Sequence, residues 1–294
     1  MLYGPLVALS NVLNNLNNII ISDQRYFEIM NITPAVKDDV EAKDIFDFKI
    51  IEFKNVSFQY PFDLKPVIKD ISFSIKKGET IGIVGPTGAG KSTLIRQLLR
   101  EFNITEGNIE IDGTNINKLK IKDIHDLVGY VPQAHVLFRR SVDDNILIGK
   151  PDATLEEIEA AVSLADFQKD LKELPQGSLT MVAELGGSLS GGQRQRLSIA
   201  RALIKKPKIL ILDDSLSAVD ALTEANIIAR LKETRSQETN IIVAHRFSAV
   251  TQADKIIVLE NGQITNIGTH LELLSYDNWY KRQYLKQIKG DTYE

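Results

Sequence analysis

The chain has 294 residues, of which 43% are hydrophobic and 25% are charged, and this ordinary globular composition allows one large domain or two small ones. It contains no cysteine, which excludes disulfides, thiolate metal sites and a cysteine nucleophile. The formal net charge of -4 lacks the basic excess that is typical of nucleic-acid binding, so we expect no nucleic-acid partner.

A helical arm is predicted for residues 1–30, because aliphatic residues recur there at helical spacing between asparagines. The aliphatic positions are Leu6, Leu9, Leu13, Leu16 and Ile20. No run reaches the roughly 18 apolar residues of a membrane-spanning helix, and the N-terminus lacks the layout of a signal peptide, so we expect the chain to be soluble by itself. On periodicity alone, the arm is an amphipathic helix that lies on the core or on a partner. The polar residues 31–47 predict a linker.

Apolar runs predict a domain of the α/β class that begins at residue 48. The early runs are β-type, and the later ones are typical of strands buried on both faces of a parallel sheet. The predicted strands are Ile50 to Phe58, Val67 to Ile75, Thr80 to Val84, Ile209 to Leu212, Ile241 to Ala244 and Ile256 to Leu259. We therefore expect a mainly parallel sheet with an antiparallel flank formed early in the domain.

The region between these two sets of strands has a mainly helical pattern, with Pro151 to Leu164 as the clearest helix. This pattern predicts a helical subdomain over 133–202, inserted into a core of residues 48–132 and 203–266. A C-terminal helical segment is predicted over 267–294.

A phosphate loop is predicted directly after the strand Thr80 to Val84, where the sequence satisfies G-x-x-x-x-G-K-[ST]. Glycines let the backbone wrap closely around phosphate, and successive amides at a helix N-terminus supply partial positive charge. In this pattern Lys91 reaches the terminal phosphates and Ser92 offers its hydroxyl to magnesium. The predicted nucleotide-binding residues are Gly85, Pro86, Thr87, Gly88, Ala89, Gly90, Lys91, Ser92 and Thr93. ATP and Mg²⁺ are therefore the expected cofactors.

Two carboxylates, Asp213 and Asp214, follow the apolar run Ile209 to Leu212. Ligands bind at the carboxyl edge of open α/β sheets, so we expect Asp213 to help to hold the magnesium ion. Two acids after a strand also fit a solvated turn when they are taken alone. The phosphate loop upstream favours the magnesium site.

A five-residue motif reproduces the signature of the ATP-binding cassette family, which this chain resembles. The motif consists of Leu189, Ser190, Gly191, Gly192 and Gln193. A serine and two glycines before a helical run present a hydroxyl, backbone amides and a helix N-terminus as an anion receptor. The resemblance implies that this receptor grips the terminal phosphate of ATP bound to a second ABC subunit, with ATP driving dimerisation.

Other family elements appear in the family's order. Tyr60 resembles the aromatic residue that stacks on adenine, and Gln133 resembles the glutamine that senses magnesium and links the core with the helical subdomain. Asp220 resembles part of the loop through which two nucleotide sites communicate, and His245 resembles the switch histidine that contacts the terminal phosphate. The implied catalytic residues are Asp214, His245 and Gln133, and the implied magnesium ligands are Ser92, Gln133 and Asp213.

Two stretches narrow the resemblance to exporters. Thr180 to Glu184 resembles the loop that touches the coupling helices of the transmembrane domain, although alanine and Leu185 replace its more usual glycine and arginine. Gly4 to Ile29 resembles the cytosolic end of the last transmembrane helix, so the arm is expected to be a remnant of a longer chain. The resemblance implies a place at the cytoplasmic face of the cell membrane and the export of drugs, lipids or peptides.

The sequence departs from the active family pattern at Asp214, where efficient members have a glutamate that polarises the attacking water. Aspartate is shorter by about 1.5 Å. A displacement of about 1 Å costs on the order of a hundredfold, so we expect slow hydrolysis with intact ATP binding. A weak carboxylate beside an intact signature resembles one half of a heterodimeric multidrug exporter, which implies a different second subunit.

Two alternatives remain at this point. A nucleic-acid-handling cassette ATPase would carry a long coiled coil or a metal insertion between Gln133 and the signature, and no heptad run appears there. A nucleotide-gated module without hydrolysis is compatible with Asp214.

Overall fold

The computed structural model of the chain describes residues 3–290, which form two compact units divided between Lys37 and Asp38. The first unit is built on one helix, α1, over Tyr3–Met30. The aliphatic side chains spaced along α1 are exposed. None of the helices within residues 3–290 is both long enough and apolar enough to cross a lipid bilayer.

The second unit contains a six-stranded sheet that is parallel except at one edge. Its strands are β3 (Thr80–Val84), β6 (Val128–Val131), β7 (Ile209–Asp213), β8 (Thr239–Val243), β9 (Lys255–Glu260) and β10 (Gln263–Gly268). Their order is β10-β9-β3-β8-β7-β6, and β10 runs antiparallel to β9. The carboxyl ends of β3, β7 and β8 therefore meet at one edge of the sheet.

A separate four-stranded antiparallel sheet comes early in the same unit. Its strands are β1 (Ile50–Phe58), β2 (Ile68–Lys76), β4 (Glu106–Ile111) and β5 (Thr114–Asn115), in the order β2-β1-β4-β5. The two sheets confirm the predicted α/β class, with a mainly parallel sheet and an antiparallel flank.

Helices connect and cover the strands of the second unit. They are α2 (Lys91–Leu98), α3 (Ile121–Leu127), α4 (Val142–Leu147), α5 (Leu155–Leu164), α6 (Gln168–Glu173), α7 (Gly191–Leu203), α8 (Ala221–Thr234), α9 (His270–Leu274) and α10 (Trp279–Ile288). Four of these, α4 to α7, lie in the described stretch between β6 and β7. Short 3₁₀ turns lie at Ile116–Lys118, Gly177–Leu179, Glu184–Gly186 and Phe247–Ala249.

The helix predicted over Pro151 to Leu164 starts later than its pattern indicates. Thr154 is the N-cap, because its Oγ1 accepts a hydrogen bond from Glu157 N at 3.3 Å and its own N donates to Glu157 Oε2 at 3.3 Å. This capping box satisfies two backbone donors at once and fixes Leu155 as the first helical residue. Pro151 therefore lies in the turn before α5.

Strand β7 shows how the parallel sheet is buried on both faces. Ile209 and Ile211 join an apolar cluster with β1 and α2, whereas Leu210 and Leu212 join a second cluster with α5, α7 and α8. None of the four is more than 2% exposed. Each buried aliphatic side chain of this size contributes about 1.5–3 kcal/mol to folding. The two clusters hold the end of β7, and the carboxylates that follow it, in a fixed place.

Candidate nucleotide site

The phosphate loop joins β3 to α2 in a conformation that requires glycine. Gly88 has a φ of 79° and Gly90 a φ of 97°, in the left-handed region where a Cβ is costly. A Cβ at Gly85 would lie 2.0 Å from the carbonyl oxygen of Leu259. The loop therefore curls tightly in front of α2, and its shape fits a phosphate cradle.

Lys91, the first residue of α2, is only 7% exposed. Its Nζ donates hydrogen bonds to the carbonyl oxygens of Gly85 at 2.7 Å and Pro86 at 3.0 Å. Burial lowers the pKa of Lys91, while the charges of Asp214 and Asp213 act in the opposite direction. The loop thus encloses a cation that can pair with phosphate oxygens.

Oxygen atoms suited to magnesium meet at the carboxyl end of β7. Ser92 Oγ donates to Asp213 Oδ1 at 3.0 Å, and the Tyr130 hydroxyl donates to Asp213 Oδ2 at 3.2 Å. Burial, together with the charge of Asp213, raises the pKa of Tyr130 and keeps its hydroxyl protonated. Mg²⁺ is bound in proteins through one or two carboxylates plus substrate phosphates, and this donor set fits it.

Asp214 is held beside that group of oxygens by its backbone. Its φ of 48° is left-handed, a conformation that aspartate tolerates better than most residues, and its N donates to the Val243 carbonyl at 2.9 Å. Gln133 Nε2 donates to Asp214 Oδ2 at 3.3 Å. Burial raises the pKa of Asp214 and Asp213 adds to this effect, whereas His245 and Lys91 lower it.

A cleft of about 230 Å³ connects these groups. The structure brings the loop residues 87–93, both aspartates, Gln133 and His245 together in its lining. Burial lowers the pKa of His245, and the charge of Lys91 adds to this effect. Gly85 and Pro86 contribute to the site through the carbonyl oxygens that hold Lys91. A pocket with a cation, carboxylates and a neutral imidazole can bind a polyphosphate together with its metal.

Tyr60 lies beside this cleft and does not line it. Its hydroxyl is 3.2 Å from Thr93 Oγ1, and its ring meets Phe58 and Phe102 edge-on, with centroids 4.8 and 5.1 Å apart. These contacts fix an aromatic ring next to the first turn of α2.

The signature lies at the N-terminus of α7, and none of residues 189–193 lines the cleft. Ser190 is the N-cap, with its Oγ accepting from Gln193 N at 3.2 Å and its N donating to Gln193 Oε1 at 2.9 Å. Because a hydroxyl that accepts one bond can also donate, the exposed Ser190 can still give a hydrogen bond to an anion. Gly191 and Gly192 add first-turn amides to this surface.

Asp220 caps α8 and ends the loop between the carboxylates and that helix. Its carboxylate accepts from Thr223 N at 3.0 Å and Thr223 Oγ1 at 2.7 Å, and these bonds lower the pKa of Asp220. Ser217 Oγ donates to the Asp214 carbonyl at 3.0 Å, and Gln195 Oε1 accepts from Ala218 N at 2.9 Å. The loop is therefore tied to Asp214 on one side and to the signature helix on the other.

The structure gives contacts at the site to three residues that the sequence motifs do not identify. Tyr130 contacts Asp213, Gln195 ties α7 to the Asp220 loop, and Gln287 binds the backbone on both sides of Arg246. Proximity to a motif is a signal for the first two, since Tyr130 lies three residues before Gln133 and Gln195 lies two residues after the signature. No local pattern points to Gln287, because its partners are distant in the chain.

Comparison with known proteins shows the family to which the chain is related. A family model described as ABC transporter matches residues 68–217. The chain is 46% identical to the Probable multidrug resistance ABC transporter ATP-binding/permease protein YheI of Bacillus subtilis (strain 168), over 98% of the chain and 49% of that protein. It is 39% identical to ATP-binding cassette sub-family B member 6 of Xenopus tropicalis, over 98% of the chain and 34% of that protein.

The solved structures include a close match in fold. The structure of a bacterial Atm1-family ABC exporter with ATP bound gives a TM-score of 0.90 at 36% identity, over 98% of this chain and 51% of that one. The chain therefore belongs to the ABC transporter family. It spans about half the length of the Bacillus relative and of that exporter.

Proposed function

We propose that this chain binds ATP with Mg²⁺ in the cleft between its phosphate loop and the carboxyl end of β7. The observation that carries the proposal is the contact between Ser92 Oγ and Asp213 Oδ1 at 3.0 Å, beside the buried Lys91. A hydroxyl and a carboxylate at that distance offer two neighbouring oxygen ligands to a metal whose other ligands are phosphate oxygens and water. When bound, Mg²⁺ would neutralise phosphate charge, and Lys91 would hold the terminal phosphates. Gln133 would contact the magnesium site.

We infer that the signature serves a nucleotide bound to a facing subunit. Ser190 is exposed at the start of α7, outside the cleft of its own chain, while its hydroxyl and two glycine amides form an anion receptor. ATP would then be buried between the loop of one subunit and the signature of the other. Such a ligand stabilises the closed pair, and its hydrolysis or release reopens it.

The chain's own site is proposed to hydrolyse ATP slowly. Asp214 stands where efficient family members have glutamate, and its side chain is held at 3.3 Å from Gln133 by a fixed backbone. The missing methylene leaves its carboxylate short of the position that polarises water. An intact signature beside a short carboxylate supports a pair of unlike subunits, in which the second one supplies the longer carboxylate.

The proposed function of this ATP-binding chain is to power export. The name of the Bacillus relative includes the words "multidrug resistance", and the solved structure with the same fold is that of an exporter. The stretch Thr180 to Glu184, which resembles the coupling-helix contact, contains Met181 and is flanked by Leu179 and Leu185, and these three apolar side chains are between 59% and 66% exposed. This patch would receive helices of a transmembrane domain at the cytoplasmic face of the cell membrane. The exported molecule would be a drug, lipid or peptide.

Lys91→Ala tests the nucleotide site, because it removes the buried cation that faces the phosphates. We expect ATP affinity, measured by equilibrium binding in the presence of Mg²⁺, to fall by at least about a hundredfold, the loss of a charge-assisted pair. Lys77→Ala is the matched control, since that lysine pairs with Asp47 outside the cleft and its loss should leave ATP affinity unchanged. Undiminished ATP binding by Lys91→Ala would contradict the assignment.

A further inference from the structure

The side-chain amide of Gln287, in the last turn of α10, bridges the backbone around Arg246. Gln287 Nε2 donates to the His245 carbonyl at 3.1 Å, and Gln287 Oε1 accepts from Phe247 N at 2.8 Å. Both polar ends of one amide are used, so the bridge fixes position and direction together. Helix α10 thus binds the two peptide groups on either side of Arg246, the residue that follows His245.

Aromatic packing fixes the helix that carries Gln287. Phe247 is 2% exposed and meets the rings of Tyr280 and Tyr284 at centroid distances of 4.9 and 6.1 Å. Tyr280 is fully buried, and its hydroxyl is 2.7 Å from His270 Nδ1. Because a buried, interlocked aromatic group allows little movement, α10 presents Gln287 as a rigid anchor.

The position of the His245 ring depends on its backbone. Among the described residues, its imidazole nitrogens make no hydrogen bond, although the ring lines the cleft beside Lys91 and Asp214. On the strand side, Ala244 N donates to the Ile83 carbonyl at 3.1 Å and fixes the end of β8. On the other side, Gln287 supplies the contacts nearest to His245.

Further contacts, with the loop that ends at Asp220 and with α8, hold the same segment. Arg246 donates to the Val219 carbonyl at 2.8 Å, and the Ser248 hydroxyl bonds the buried carboxylate of Glu224 in α8. These bonds place the segment against the loop that ends at Asp220. They act on residues after His245, so they leave its carbonyl to Gln287.

We propose that Gln287 is a positioning residue that sets the place of the His245 ring in the nucleotide cleft. This inference rests on the proposed function, because it assigns a role at the same ATP site. Gln287 acts through His245 and touches no nucleotide atom. Its loss would leave ATP binding by Lys91 and the loop intact and would move the imidazole away from the terminal phosphate.

Turnover separates positioning from simple stability. In the full chain with Asp214→Glu, we expect Gln287→Ala to lower kcat for ATP by about tenfold to a hundredfold with KM within about twofold. When His245→Ala is already present, Gln287→Ala should cause no further loss, since it acts through that ring. Gln283→Ala is the matched control, because Gln283 lies one turn earlier on α10 and makes no side-chain hydrogen bond among the described residues. Equal kcat in the two glutamine variants, or additive losses with His245→Ala, would overturn the inference.

The His245 ring gives a readout that needs no turnover. Its resonances can be assigned among the four histidines by their disappearance in His245→Ala. We expect them to shift or broaden in Gln287→Ala of the otherwise unmodified chain and to stay in place in Gln283→Ala. If the Asp214→Glu chain neither turns over nor binds ATP, the proposed function fails, and unchanged His245 resonances in Gln287→Ala would overturn the positioning role by themselves.

Discussion

Asp214 combines three physical constraints in one residue. Its backbone is left-handed at a φ of 48°, its N is bonded to the neighbouring strand, and burial raises the pKa of its carboxyl group. The left-handed backbone and this hydrogen bond hold a short acid directly after β7. We propose that this short acid makes ATP hydrolysis at the chain's own site slow.

Asp214→Glu is predicted to raise ATP turnover at this site by about tenfold to a hundredfold, because it moves the carboxylate toward the attacking water by about one bond length. Steady-state phosphate release by the full chain measures the change, and Asp214→Asn, which removes the charge at equal length, should not raise turnover. The proposal of a slow site would be refuted if the unmodified chain hydrolysed ATP rapidly and Asp214→Glu did not change that rate.

At the residue scale, motifs identify most of the groups that the structure brings together. Lys91, Ser92 and Asp213 can be identified from motif and position alone. The phosphate loop and the strand before Asp213 are each recognisable from a short run of sequence, and the parallel sheet then brings the two together. Tyr130 and Gln287 could not be assigned in this way. Each makes its decisive contact across 40 or more residues of chain, and such contacts exist only after tertiary packing.

At the element scale, α7 depends on a buried ion pair as well as on apolar packing. Arg196 donates to both carboxylate oxygens of Asp170 in α6, with Nε–Oδ2 at 2.8 Å and Nη2–Oδ1 at 2.7 Å. The two side chains are 13% and 8% exposed. This bidentate pair orients the helix that begins with the signature.

Asp170→Ala is predicted to lower the free energy of unfolding by on the order of 3 kcal/mol, because it leaves the Arg196 guanidinium buried without its partner. Chemical denaturation measures the loss. Asp277→Ala is the control, since Asp277 pairs with Arg282 in the open, at 76% and 56% exposure, and such pairs contribute little. A loss at Asp170 no larger than at Asp277 would argue against the role of this pair.

Glu157, at the start of α5, is predicted to make stability depend on acid pH. Hydrogen bonds from Lys150 and Lys206 lower the pKa of Glu157 from 4.5 to about 2. The folded chain then binds fewer protons than the unfolded one between these values, so this stabilisation is present above about pH 4.5 and is lost as pH falls toward 2. Thermal unfolding across that range should show a difference between the unmodified chain and Glu157→Gln that shrinks with acidity. A constant difference would contradict the prediction.

At the scale of the whole molecule, the interior strands of the parallel sheet are predictable from the sequence, whereas its two edge strands, β6 and β10, are not. Strands β7 and β8 are buried along their entire length, and the apolar runs Ile209 to Leu212 and Ile241 to Ala244 indicate them in the sequence. Strand β6 has only four residues, and β10 alternates between partly and fully exposed positions at the edge of the sheet. Short strands and edge strands have few consecutive apolar residues. Their positions depend on pairing with neighbouring strands, which the sequence pattern does not identify.

In the proposed arrangement, the loop of one subunit and the signature of another bind the same nucleotide, and hydrogen exchange can detect both contacts. The dilute chain and the complete transporter would each be followed with and without ATP and Mg²⁺. We predict that ATP protects the amides of residues 85 and 87–93 in both samples, and protects those of residues 190–193 only in the transporter, where a facing subunit is present. Signature amides that are protected in the dilute chain together with the loop, or that stay unprotected in the transporter, would show that the two motifs do not share a nucleotide between subunits.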